Sequence, residues 1–106
     1  MQNFRDYNPA TRTTTLNIGT RKSGVTVDVY FIKTPECPKI TSMTADCGCS
    51  TPRDIGDSVL VKYTPGQLAE GVIASGQNSQ NVQKGVLVEF ENGTSEKIYF
   101  LAKIVA

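Results

Sequence analysis

Hydrophobic and polar residues alternate with a period of two along most of this chain. That spacing lets a β-strand turn one face to a core and the other to solvent. Between Val25 and Lys33, the side chains of Val25, Val27, Val29 and Phe31 fall on one face, with Thr26, Asp28 and Tyr30 on the other. Val59, Val61 and Tyr63 repeat the pattern against Leu60 and Lys62. Val86, Val88 and Phe90 do so against Leu87 and Glu89, and Ile98, Phe100, Ala102 and Ile104 against Tyr99, Leu101 and Lys103. Weaker versions run from Thr13 to Ile18, with Leu16 and Ile18 inward, and from Lys39 to Ala45, opened by Ile40. No stretch carries an amphipathic helix of two turns or more. Gly66 to Ala74 holds at most a short helical turn, which Gly71 interrupts.

The sharpest turn signal is Glu91-Asn92-Gly93-Thr94. Asn-Gly accepts the positive φ angles of a type I′ turn, whose twist matches that of paired strands. Asn92 and Gly93 are therefore expected to turn a hairpin joining Val86–Glu91 to Thr94–Val105. Short strands separated by turn signals, without helices, predict an all-β fold: a single immunoglobulin-like antiparallel β-sandwich of about seven strands, spanning residues 13–106. A small barrel is the alternative. Pro35, Pro38, Pro52 and Pro65 favour the sandwich, because they fall where crossings between sheets begin.

Two segments exceed what a sandwich needs. Residues 1–12 contain Phe4 and Tyr7 but little strand pattern, and read as a disordered tail or an arm that orders on a neighbouring subunit. Gly66 to Gln83, rich in Gly, Gln, Asn and Ser, reads as a long polar loop. A partner is expected to meet these segments first, through Phe4, Arg5 and Tyr7 in the arm and Gln67, Gln77, Asn78, Gln80 and Asn81 in the loop.

Composition narrows the function. A chain of 106 residues is one domain, long enough to bury roughly 65% of its unfolded surface. The net charge is +1, which gives no long-range field for nucleic acid or an anionic membrane, so neither is an expected partner. Arg5, Arg12, Arg21 and Lys22 outweigh Asp6 near the start, as a solvated surface does. The opening MQNFRDYNPA lacks an apolar export segment, which predicts use outside the secretory route. Histidine is absent. The commonest general base is therefore missing, and with it the serine and cysteine nucleophile arrangements that need it. Asp54 and Asp57 read as turn-shaping rather than as a catalytic dyad, and Gly71 and Gly76 lack the context of a phosphate loop. Asn92-Gly93-Thr94 matches a glycosylation acceptor formally, but its hairpin role explains it better. The chain is expected to be no enzyme and to use no cofactor.

What chemistry remains lies in Cys47-Gly48-Cys49-Ser50-Thr51-Pro52. Strand residues two apart share a face, so the sulfurs of Cys47 and Cys49 can point the same way. Three readings stay open. One is a metal site completed by Cys37, for which Cys-x-Cys without histidine is a weak signal. Another is a redox pair, including a Cys47–Cys49 bridge. The preferred reading is a structural turn, bent at Gly48 and ended by Pro52, with the cysteines packing as small hydrophobes. A reducing compartment argues against a structural disulfide, and the odd cysteine count leaves one thiol unpaired.

The order of motifs is also informative. Ile40-Thr41-Ser42-Met43 is followed by Asp46-Cys47-Gly48-Cys49-Ser50-Thr51-Pro52, then by Gly56-Asp57-Ser58-Val59-Leu60-Val61-Lys62-Tyr63-Thr64-Pro65. Lys84-Gly85-Val86-Leu87-Val88-Glu89-Phe90 and a closing Leu101-Ala102-Lys103-Ile104-Val105 complete the series. From Val25 to Ala106 this resembles a family of immunoglobulin-like bacterial and phage domains of unknown function, marked by a Cys-Gly-Cys-Thr-Thr-Pro turn. Ser50 stands where that family usually has threonine, and the connection from Gly66 to Gln83 is longer and more polar. Family members are usually exported or embedded in longer envelope proteins. For a chain without an export segment, the resemblance implies a freestanding auxiliary or decoration protein of a bacteriophage virion. Its partner would be the major capsid protein or another virion component, met in many copies on a symmetric lattice. Its location would be the virion, assembled in the host cytoplasm, or otherwise the cytoplasm. The alternatives are a thiol- or metal-handling protein using Cys37, Cys47 and Cys49, and an adhesin domain cut from a longer envelope precursor.

Overall fold

A computed structural model describes residues 2–106. The chain forms β1 (Tyr7–Asn8), β2 (Thr13–Lys22), β3 (Val27–Ile32), β4 (Ile40–Ala45), β5 (Ser50–Asp54), β6 (Ser58–Tyr63), α1 (Glu70–Ala74), β7 (Ser79–Phe90) and β8 (Ser95–Val105). A five-stranded sheet, ordered β1-β2-β8-β7-β4, faces a three-stranded sheet ordered β3-β6-β5. Strands β3, β6 and β5 against β8, β7 and β4 reproduce an immunoglobulin-like β-sandwich. One ladder is not antiparallel: β2 runs parallel to β8, with Thr14 opposite Ile98 and Asn17 opposite Leu101. Parallel neighbours need a long crossover, and here nearly the whole domain supplies it.

The core lies between the sheets, where the alternation predicts it. Val29 and Phe31 from β3, and Val59, Val61 and Tyr63 from β6, meet Val86, Val88 and Phe90 from β7 and Ile98, Phe100, Ala102 and Ile104 from β8. The Tyr63 and Phe100 rings meet edge-to-face across the sandwich, 4.9 Å between centroids. Burial raises the Tyr63 pKa above its ordinary value.

Several expectations change. Residues 2–8 are no free tail. The Arg5 N–H donates to the Ile32 carbonyl at 2.8 Å and the Thr34 N–H to the Asn3 carbonyl at 2.9 Å, while the Thr34 hydroxyl reaches the Gln2 carbonyl. These bonds lay the segment along the end of β3 and bury Phe4 completely. Val25 lies outside β3 and is 54% exposed, because the chain is still turning there, with Gly24 at φ 80°. Ser79 to Gln83 form strand rather than loop, since β8 needs a partner along its length: Gln80 lies opposite Ile104 and Val82 opposite Ala102. Pro52 does not end a turn. It sits within β5 opposite Val61, on an edge strand, where a missing N–H is tolerated.

The β7–β8 hairpin forms, but not through a type I′ turn. Gly93 has φ 84° while Asn92 stays out of the positive region. The Gly93 N–H donates to the Phe90 carbonyl at 3.1 Å, and the Phe90 N–H to the Thr94 carbonyl at 2.9 Å. The loop is thus three residues closed by a glycine bulge. Asn92 Oδ1 accepts the Thr94 N–H at 3.1 Å and the Thr94 hydroxyl at 2.6 Å, an Asx turn that fixes the Asn92 backbone.

Candidate functional site

The connection from β6 to β7 builds a recess beside α1. Pro65 is fully buried, and its carbonyl accepts the Gly24 N–H at 2.8 Å. The Ser23 hydroxyl donates to the Gly66 carbonyl at 2.9 Å. These bonds pin the start of the connection to the β2–β3 turn. Beyond it, α1 makes little more than one turn around Gly71, and its last carbonyls are met by the Ser75 and Gly76 N–H groups. The Ala69 N–H, left over at the helix start, donates to Gln80 Oε1 at 3.3 Å. Because α1 buries none of its residues, Ile73 stands 59% exposed.

The result is an open cleft of about 480 Å³ lined by Ser23, Gln67, Leu68, Ile73, Gln77 and Asn78. A smaller recess of about 220 Å³ shares Gln67 and Leu68 and extends past Cys49, Gln80 and Lys84. Leu68 packs on the core from below, so the cleft has an apolar floor and amide groups at its rim.

Of the eight residues expected to meet a partner, Gln67, Gln77 and Asn78 gather here. Gln80 lies at the edge of the recess, with its carbonyl oxygen engaged by the helix start. Asn81 is exposed on β7 opposite Lys103. The arm residues do not join them. Phe4 is core, packed edge-to-face on Phe31 at 6.4 Å, and is unavailable to a partner. Arg5 is exposed and Tyr7 half-buried in β1, near the opposite end of the sandwich, where Asn3 and Thr14 both hydrogen-bond Glu96. Ile73 and Leu68 escaped notice in the sequence. The only signal was an isoleucine two residues after Gly71, in a stretch too short to show helical periodicity.

The cysteines separate as well. Cys47 and Cys49 form a disulfide across Gly48, with Cα atoms 5.3 Å apart, at the corner between β4 and β5. The turn is therefore a bridged one. Cys37 is a free, half-buried thiol in a cleft with Lys33 and Asp54 at the far end of β6. Burial pushes its thiol up, Lys33 opposes this, and Glu96 and Asp54 reinforce it. Cys37 thus does not complete a site with the pair, and among the described residues no three Cys, Asp or Glu side chains converge to hold a metal ion. In the same cleft Lys33 Nζ donates to Asp54 Oδ1 at 2.7 Å and to the Gly56 carbonyl at 2.8 Å. Burial tends to raise the Asp54 pKa, but Lys33 and the Gly56 N–H together hold it below the usual carboxylate value.

No protein-family model matches this chain, and no curated protein matches it in sequence. Among solved structures it is similar to an endo-fucoidan hydrolase of glycoside hydrolase family 107, with TM-score 0.55 and 13% identity over 87% of this chain and 13% of that one. It is also similar to the SrpA adhesin of Streptococcus sanguinis, with TM-score 0.51 and 12% identity over 80% of this chain and 50% of that one. The likeness is one of fold. A β-sandwich is what the two share with this chain, which spans a small part of the hydrolase and half of the adhesin chain.

Proposed function

We propose that this chain is a non-enzymatic interaction domain, an auxiliary or decoration protein of a bacteriophage virion. It docks on the major capsid protein or another virion component through the cleft beside α1. The observation that carries this reading is the gathering of Gln67, Gln77 and Asn78 around Leu68 and the exposed Ile73. An apolar centre rimmed by hydrogen-bonding groups is the composition of a protein-docking patch. Weak contacts of this kind suffice when a lattice presents many copies. The likeness to an adhesin supports the same class of work. The likeness to a hydrolase covers 13% of that enzyme and carries no activity over.

The test is co-sedimentation of the purified protein with virions or capsid shells of the phage that encodes it. The chain should pellet with the particles, and Ile73→Asp should abolish pelleting while leaving the melting temperature within a degree or two, because the side chain touches no core. Unaltered pelleting of the folded Ile73→Asp variant, or a wild-type chain that stays in the supernatant at every ratio, would overturn the proposal.

A further inference from the structure

We infer that the Cys47–Cys49 bridge is a thiol–disulfide exchange site, opened and reclosed by small thiols while the domain stays folded. This inference does not rest on the proposed docking function.

A disulfide stabilises a fold mainly by closing a loop in the unfolded chain, and the effect grows with loop length. Here the loop holds Gly48 alone, so the bridge adds less to stability than one closing a long loop. Other bonds already hold the corner. The Asp46 N–H donates to the Gly85 carbonyl at 3.0 Å, the Ser50 N–H to the Cys47 carbonyl at 3.3 Å, and the Thr64 N–H to the Cys49 carbonyl at 2.9 Å. Opening the bridge leaves those contacts intact and keeps the two sulfurs within reach of each other. The site is also approachable: Gly48 is exposed, with nothing packed over it.

The second observation is Ser50. It is 7% exposed, and its hydroxyl lies 3.9 Å from Cys47 Sγ and 3.9 Å from Cys49 Sγ. Among the described residues it has no oxygen or nitrogen partner. A bridged sulfur is a poor acceptor, whereas a thiolate is a strong one. The hydroxyl therefore gains most when the S–S bond breaks, favouring the released thiolate over the closed bridge. Lys84, which lines the same recess as Cys49, adds positive charge on that side.

The chemistry balances with a monothiol as reductant. Its thiolate attacks one sulfur, a mixed disulfide forms, and the other cysteine leaves as a thiolate held by Ser50 and then protonated. A second thiol attacks the mixed disulfide and releases the first as a symmetrical disulfide. Two thiols thereby lose two electrons and two protons, and Cys47 and Cys49 gain them as two S–H groups. The reverse sequence recloses the bridge.

The experiment uses a Cys37→Ser chain, so that only the pair reports. It is equilibrated with mixtures of reduced and oxidised glutathione without denaturant, then alkylated and weighed by mass spectrometry, with circular dichroism following the fold. The bridge should open and reclose reversibly with the spectrum unchanged. Ser50→Ala should slow opening by about three- to tenfold, the worth of one lost hydrogen bond, and Ser50→Thr should restore the rate. A bridge that opens only on denaturation, or thiols that oxidised glutathione never joins, would overturn the inference. A folded Ser50→Ala chain opening at the parent rate would do the same. Should Ser50→Ala not fold, reversible opening in the Cys37→Ser chain decides alone.

Discussion

Phe4 stands outside every strand, between Asn3 and Arg5, yet it is as buried as any residue of the sandwich and packs on Phe31. Truncating it leaves a cavity that the hydrogen bonds of Asn3 and Arg5 keep from collapsing. Phe4→Ala should therefore cost about 3–5 kcal/mol, read as a lower urea midpoint at unchanged slope. A second residue-scale effect concerns acid. The folded Asp54 pKa lies below its reference value of 3.8, so the stability it adds is present above that value and is lost as pH falls through the lower folded one. Asp54→Asn keeps an oxygen for the Gly56 N–H but removes the charge facing Lys33. Urea midpoints across the acid range should show a lower plateau near neutrality for Asp54→Asn and a shallower loss below the reference value.

At the scale of elements, the strands whose two faces differ were legible in advance. Val59, Val61 and Tyr63, Val86, Val88 and Phe90, and Ile98, Phe100, Ala102 and Ile104 all turn inward as their spacing implies. Strand β2 shows its pattern only partly, because beyond Leu16 and Ile18 its residues are mostly polar and pairing with β8 holds it in place. Gln80 and Asn81 look like loop in isolation and become strand only because β8 lies alongside. The candidate site divides the same way. The amides of Gln67, Gln77 and Asn78 announce a polar surface, while the places of Ile73, Ser50 and Phe4 depend on which distant segments meet. Helix α1 tests this dependence, since its start leans on Gln80 of β7. Gln80→Ala should speed amide exchange across residues 69–76 while the central amides of β7 stay protected. Equal protection in both proteins would show that the helix holds itself.

As a whole, the molecule is elongated, 48 × 27 × 19 Å. The N-terminal segment closes one end, and the α1 cleft and the bridged corner share the other. On the proposed reading the domain stands on its lattice by the α1 end and turns the Phe4 end outward. The parallel ladder between β2 and β8 also governs the birth of the molecule. Thr14 waits for Ile98, and both Asn3 and Thr14 wait for Glu96. On the ribosome β2 emerges well before its main neighbour β8. The large sheet cannot close until translation has passed Val105, so the valines and phenylalanines that face it wait unshielded until then, and a chaperone has its opportunity there.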